Sequence, residues 1–213
     1  VMTRLAPREA EVHGLVALME IQASRAAART GPGGEPILLA DQNRARWDQL
    51  LIRRGLAALE RAEALLDPGA QPGPYVLQAA IAACHARARR FSDTDWRRIA
   101  GLYEQLARTA PSPVVELNRA VALSMAFGPE AGLALVDQLT AVPVMRNYHL
   151  LPSVRGDLLV RLSRHAEARV EFERAAALTR NERERALLLD RAAACRRPAG
   201  PPEAPALRSP GPP

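Results

Sequence analysis

The sequence predicts an all-α protein built of antiparallel helix pairs set in a row. Composition is the first reason: alanine is about a fifth of the 213 residues and stands with leucine, arginine and glutamate as a strong helix former, while aromatic residues are only 4%. The second is apolar residues recurring at three-four spacing, the signature of one helix face. The third is punctuation by proline and glycine, which divides the chain into helix pairs stepping at roughly 30 to 35 residues. A chain of this length buries roughly 70% of its unfolded surface and needs no staples.

The first helix is expected from about Arg8 to Ala28, with Val12, Leu15, Val16, Met19 and Ala23 on its inner face. Gly31-Pro32-Gly33-Gly34 then forms a loop. Asp41 is expected to cap the second helix, whose stripe is Trp47, Leu50, Leu51, Ala58, Ala62 and Leu65 and which stops at Asp67-Pro68-Gly69. The three prolines and two glycines of 68–74 make the best internal boundary. They separate an N-terminal helical segment, 1–67, from a repeat domain, 75–195. Tyr75 to Arg90 is the next helix, and Asp93 or Thr94 caps one that buries Trp96, Ile99, Ala100, Tyr103 and Leu106. Ser112-Pro113 sets a cap and a first-turn proline in the right order for a helix ending at Gly128. Pro129 to Leu139, Tyr148 to Leu162, His165 to Leu178 and Asn181 to Ala194 complete the helices. Residues 196–213 hold seven of the 18 prolines and almost no large apolar residue, so this tail is expected to be disordered.

All 29 basic residues are arginine, and the net charge is +6. This charge is spread over helices with interspersed glutamates and no block of like sign, which argues for solvated faces and against direct nucleic-acid contact by this segment. Cys84 and Cys195 lack metal-like spacing and an oxidising context. No apolar run is long enough to span a membrane, and no apolar stretch follows Arg4 as a secretory signal would require. A cytoplasmic location is the expectation.

The strongest repeat covers His149 to Arg180, where Gly156, Leu159, Ala168, Phe172 and Ala175 fall at the intervals of a tetratricopeptide (TPR) repeat. Small residues are needed where two helix backbones cross, and Phe172 fills the gap between them. Arg155 replaces the usual leucine and Arg180 the closing proline. Tyr103 and Pro111 fit half of an earlier repeat, and Ser112 to Leu139 fits with one residue inserted near Gly128. A plain alanine-rich helical bundle is the alternative.

Five phrases carry a more specific likeness: Leu38-Leu39-Ala40-Asp41-Gln42-Asn43-Arg44-Ala45-Arg46-Trp47-Asp48, Leu77 to Ala86, Asp93-Thr94-Asp95-Trp96, Ser112 to Ala122, and Tyr148-His149-Leu150-Leu151-Pro152. Together, from about Glu11 to Ala194, they resemble the C-terminal TPR-like extension of a group of extracytoplasmic-function (ECF) sigma factors. The resemblance implies a regulatory, partner-binding role in transcription initiation, with the upstream sigma domains, RNA polymerase or a signalling protein as partner. The two DNA-reading domains that precede the extension in that family have no counterpart here, so the resemblance implies the extension alone. A free-standing TPR-like adaptor or small-ligand sensor is the second reading.

No catalytic motif is present, and no cofactor or enzymatic activity is expected. The glycines at 31–34 lack a lysine and a flanking strand. His13, His85, His149 and His165 are too scattered for a metal site, and each reads as a packing or surface residue. The candidate partner-binding residues are Gln42, Arg46 and Trp47 in the first phrase, and His149, Arg155 and Asp157 in the best repeat. In the first group either Asp41 caps, Trp47 packs and Arg44 pairs with Asp48, or Trp47 and Arg46 anchor a partner, since tryptophan and arginine dominate interface hot spots. The periodicity puts Trp47 in the core stripe and leaves Arg46 and Gln42 as exposed contacts. Arg155 belongs either to an ion-pair network or to a concave groove that accepts a carboxylate or peptide. Asn118 shares a face with Val114, Val121 and Met125, which implies a buried amide fixing a neighbouring turn.

Overall fold

The computed structural model describes residues 5–196. Among them are nine helices: α1 (Ala10–Ser24), α2 (Gln49–Ala64), α3 (Pro74–Arg87), α4 (Trp96–Thr109), α5 (Pro113–Phe127), α6 (Pro129–Leu139), α7 (Leu150–Arg161), α8 (His165–Leu178) and α9 (Glu182–Ala194). The described residues hold no strand, only an isolated bridge between Thr30 and Pro36. From α3 onward each helix packs on its neighbours in the chain, and α1 packs on both α2 and α3. The protein is an all-α array of consecutive helix pairs. The expected proline-rich tail lies outside the described residues.

Three of the four apolar clusters run along the array, and the fourth gathers Ala28, Trp47 and Ile52. Ala17, Ile21, Leu59 and Ala79 join α1, α2 and α3. Leu77, Ile99, Leu106 and Ala122 join α3, α4 and α5. Leu117, Val136, Leu159, Phe172 and Leu188 join α5 through α9. Because α3 and α5 each contribute to two clusters, the core is handed on from layer to layer, as in other helical solenoids. The break at 68–74 is a turn inside the first cluster, since α1 and α2 share it with α3.

The best repeat packs as its spacing predicts. Gly156, Leu159, Ala168, Phe172 and Ala175 are all buried. A Cβ on Gly156 would lie 2.6 Å from Phe172 Cε1, so the ring occupies the space that the missing side chain leaves. Helix α5 is capped by Ser112, whose hydroxyl accepts from Val114 N–H at 3.3 Å, and it ends at Gly128, where φ is +105°. That left-handed φ favours glycine and lets α6 begin at once with Pro129.

Several expected details are corrected. The buried stripe of α1 is His13, Gly14, Ala17 and Ile21, whereas Met19 and Ala23 are exposed. Apolar residues surround this helix, so periodicity could not choose its face. Close approach did: a Cβ on Gly14 would sit 2.7 Å from Val76 N of α3. In α2 the buried residues are Ile52, Gly55, Leu59 and Ala62, and Leu50 is exposed. Asp48, not Asp41, caps α2, accepting from Leu50 N–H at 2.8 Å and Leu51 N–H at 3.1 Å. Asp95, not Asp93 or Thr94, caps α4 by accepting from Arg98 N–H at 2.9 Å. Asn118 is exposed, because α5 buries Leu117, Ala120 and Ser124 instead.

Helix α3 has no side-chain cap of its own at either end. At its N-terminus the Glu11 carboxylate of α1 accepts from Tyr75 N–H at 2.9 Å and Val76 N–H at 3.1 Å. At its C-terminus the Arg44 guanidinium donates to His85 O and, at 2.8 Å, to Ala88 O. An anion at the positive end and a cation at the negative end both favour the helix dipole.

Candidate functional site

Arg44 links three separate segments of the array through its guanidinium. Before α2 the chain makes only a short 3-10 turn at Arg44–Arg46, capped by Asn43, which accepts from Ala45 N–H; Gln42 Nε2 donates to Ile37 O at 3.1 Å and Arg44 reaches α3. Arg44 also donates to Thr94 Oγ1 at 3.4 Å. The expected Arg44–Asp48 pair is therefore replaced by contacts 41 to 50 residues away. Three of the five phrases that resemble the ECF extension, those containing Arg44, His85 and Thr94, thus meet at one point.

Trp47 is 3% exposed and packs with Ala28 and Ile52. Its ring lies 4.7 Å from the Arg44 guanidinium and 5.6 Å from that of Arg25, both within cation–π range. Trp47 is a core residue. Gln42 is buried as well, which corrects its expected exposure; Arg46 is exposed. Beside Trp47 a groove of about 440 Å³ is lined by Arg44, Ile52, Arg87 and Arg89, among others.

His85 continues the Leu77–Ile81 stripe of α3 at four-residue spacing and is buried. It meets Trp96 edge-on, with ring centroids 5.2 Å apart. Burial, with the charges of Arg25 and Arg44 next, pushes its pKa down to about 4. Burial, then Arg29 and Arg44, likewise lowers Arg25 to about 10. Arg25 and His85 line a cavity of about 220 Å³ between α1, α3 and α4, walled also by Leu18, Gln78, Ile81 and Tyr103. Arg25 Nε and His85 Nδ1 are buried without a partner among the described residues, and so are Gln42 Oε1 and Trp47 Nε1 in the segment before α2. Each such group costs about 1–3 kcal/mol of desolvation.

The other candidates disperse. Arg155 pairs with Asp137 of α6 at 2.8 Å and Glu171 of α8 at 2.7 Å. Burial works against its charge, but these two carboxylates hold its pKa above the ordinary range. Asp157 pairs with Arg191 of α9, and His149 meets Glu184 Oε1 at 3.1 Å. Arg155, Asp157 and His149 thus tie α7 to three different helices and do not converge. The described residues contain no group of His, Cys, Asp and Glu able to hold a metal, and no helix long and apolar enough to cross a membrane.

Residues 1–63 match the model of a family of unknown function, DUF6596. That stretch includes Arg25, Gln42, Arg44 and Trp47 but not His85. An uncharacterized protein of Rhizobium meliloti (strain 1021) is 46% identical over 187 residues, which is 88% of this chain. The chain spans 43% of the length of that curated relative. No solved structure matches it.

Arg25 and His85 were missed by sequence reasoning. The signal available was a histidine at four-residue spacing from Leu77 and Ile81, which marks a polar group in an apolar stripe. Its partners come from segments too far off in sequence to be paired with it by spacing.

Proposed function

We propose that this chain is the regulatory, partner-binding extension of an ECF sigma factor, acting in transcription initiation in the cytoplasm through the upstream sigma domains, RNA polymerase or a signalling protein. The observation that supports the reading most is the meeting of three of the five family-like phrases around Arg44, which explains why those residues belong together. A row of helix pairs suits docking, since such arrays present extended surfaces to other proteins. The groove beside Trp47, rimmed by Arg44, Arg87 and Arg89, with Arg46 exposed nearby, suits an acidic segment of a partner. Promoter choice would rest with the DNA-reading domains, and this segment would not touch DNA.

The test is a titration of the chain against separately purified DNA-reading domains of an ECF sigma factor from the same genome, and against core polymerase. Saturable binding that weakens with salt and with Arg46→Glu or Arg89→Glu supports the reading. Absence of binding to both refutes docking on the sigma domains or the polymerase and leaves only a signalling protein as partner.

A further inference from the structure

We infer that the cavity between α1, α3 and α4 is a binding site for a small organic anion, its carboxylate or phosphate head held by Arg25 and its body seated against Leu18 and Ile81. This site goes beyond the docking role above and stands without it.

The charge balance is the first argument. Arg29 and Arg44 lie close enough to depress Arg25, and Arg25 and Arg44 to depress His85; Asp93 acts on Arg44 from a distance, yet neither Arg25 nor Arg44 makes a salt bridge among the described residues. Arg44 spends its donors on backbone carbonyls and Thr94, and Arg29 on the carbonyl and side chain of Gln22. Arg25 has no side-chain hydrogen bond among the described residues, and its Nε is buried without a partner. A half-buried charge without a salt-bridge partner is the situation that an incoming anion relieves.

The second argument is the polar inventory. Of the five buried side-chain polar atoms left unpartnered among the described residues, four belong to this neighbourhood, and two of their owners, Arg25 and His85, line the cavity itself. His85 is 9% exposed, and its Nδ1 has no partner among the described residues. Gln22, Gln78 and Tyr103 add neutral polar groups to the wall, and Leu18, Leu39 and Ile81 add apolar ones. Polar groups that converge beside apolar walls suit a small molecule with a charged head and an apolar body.

The third argument is size and kind. At about 220 Å³ the cavity lies below the ~300–1,000 Å³ of sites for drug-sized ligands, which limits the occupant to a small molecule. A guanidinium fork fits carboxylate and phosphate equally, so the head group is left to experiment.

The full chain is titrated with inorganic phosphate and, separately, with pentanoate, at constant ionic strength set by sodium chloride. The four histidine rings are followed by NMR and the melting temperature by scanning fluorimetry. The expected result is a saturable shift of the His85 ring with either probe below about 10 mM, and a rise in melting temperature that chloride does not reproduce. Which probe saturates assigns the head group. Arg25→Gln should weaken binding at least about tenfold while keeping the helical circular dichroism, because it removes a charge that burial and Arg44 already disfavour. Gln78→Leu, at similar volume, should weaken it too. The inference falls if neither probe saturates, if binding moves other histidines but not His85, or if Arg25→Gln binds as tightly as the parent.

Discussion

A double-mutant cycle at Gly156 and Phe172 tests how the array is held together. Phe172 is 1% exposed, and the Arg191 guanidinium stands 4.4 Å from its ring centroid. A methyl group on Gly156 would lie 2.6 Å from Cε1 and 2.9 Å from Cδ1 and Cζ. Gly156→Ala should therefore lose about 1–3 kcal/mol to overpacking and regain about 1 kcal/mol of helix propensity. Phe172→Leu leaves a void and should cost about 1–2 kcal/mol, a fraction of the roughly 3–5 kcal/mol of a Phe→Ala change. In the double mutant the clash is gone, the methyl fills part of the void, and the propensity gain remains. It should be no less stable than Phe172→Leu alone, with a favourable coupling of about 1–2 kcal/mol. Urea unfolding of the full chain, read by helical circular dichroism, measures all four corners. Additivity within about 0.5 kcal/mol would mean that Gly156 is not there for the ring, and the packing argument would be wrong.

The Trp47 and Arg46 changes should part company: Trp47→Ala should cost about 3–5 kcal/mol of stability, whereas Arg46→Ala should keep the melting temperature and weaken partner binding. An Arg46→Ala protein binding as tightly as the parent would remove that face from consideration. His85 makes stability depend on pH. Its pKa falls from 6.5 unfolded to about 4 folded, so the unfolded chain takes up the proton first. Its contribution is complete above pH 6.5, shrinks as pH drops from there towards 4, and amounts to about 3 kcal/mol. His85→Asn should flatten the stability profile across that window, and an unchanged slope would contradict the burial argument. Glu11→Ala should cost about 1 kcal/mol by uncapping α3, with Tyr75 and Val76 amides exchanging faster with solvent; unchanged exchange rates would show the cap to be idle.

Legibility varied with the kind of signal. Where a boundary is written in backbone chemistry, at Ser112-Pro113 and Gly128-Pro129, sequence and structure agree, because proline and glycine act locally. The repeat spacing around Gly156 and Phe172 was legible for the same reason. Caps were not, where candidates crowd together. Asp93, Thr94 and Asp95 all qualify by type, and the choice of Asp95 goes with Thr94 being taken by Arg44. Asp41 lost to Asp48 because Gln42 and Arg44 find partners away from α2, at Ile37 and at the end of α3. The face of α1 was hidden by Gly14, which carries no apolar side chain and yet marks the closest approach. At the site the exposure of Arg46 and the burial of Trp47 could be read from the stripe. The Arg25–His85 cavity could not, since it exists only once α1, α3 and α4 have met.

The borrowed caps of α3 also bear on how the chain is made. Glu11 and Arg44 both precede α3, so a ribosome delivers each of them before the helix ends they serve. When Pro74 to Arg87 emerges, an anion for its first turn and a cation for its last are already waiting on chain that left the tunnel earlier. Growth from the N-terminus thus lays down the acceptor and donor first and the helix second, which lets α3 dock as it is synthesised.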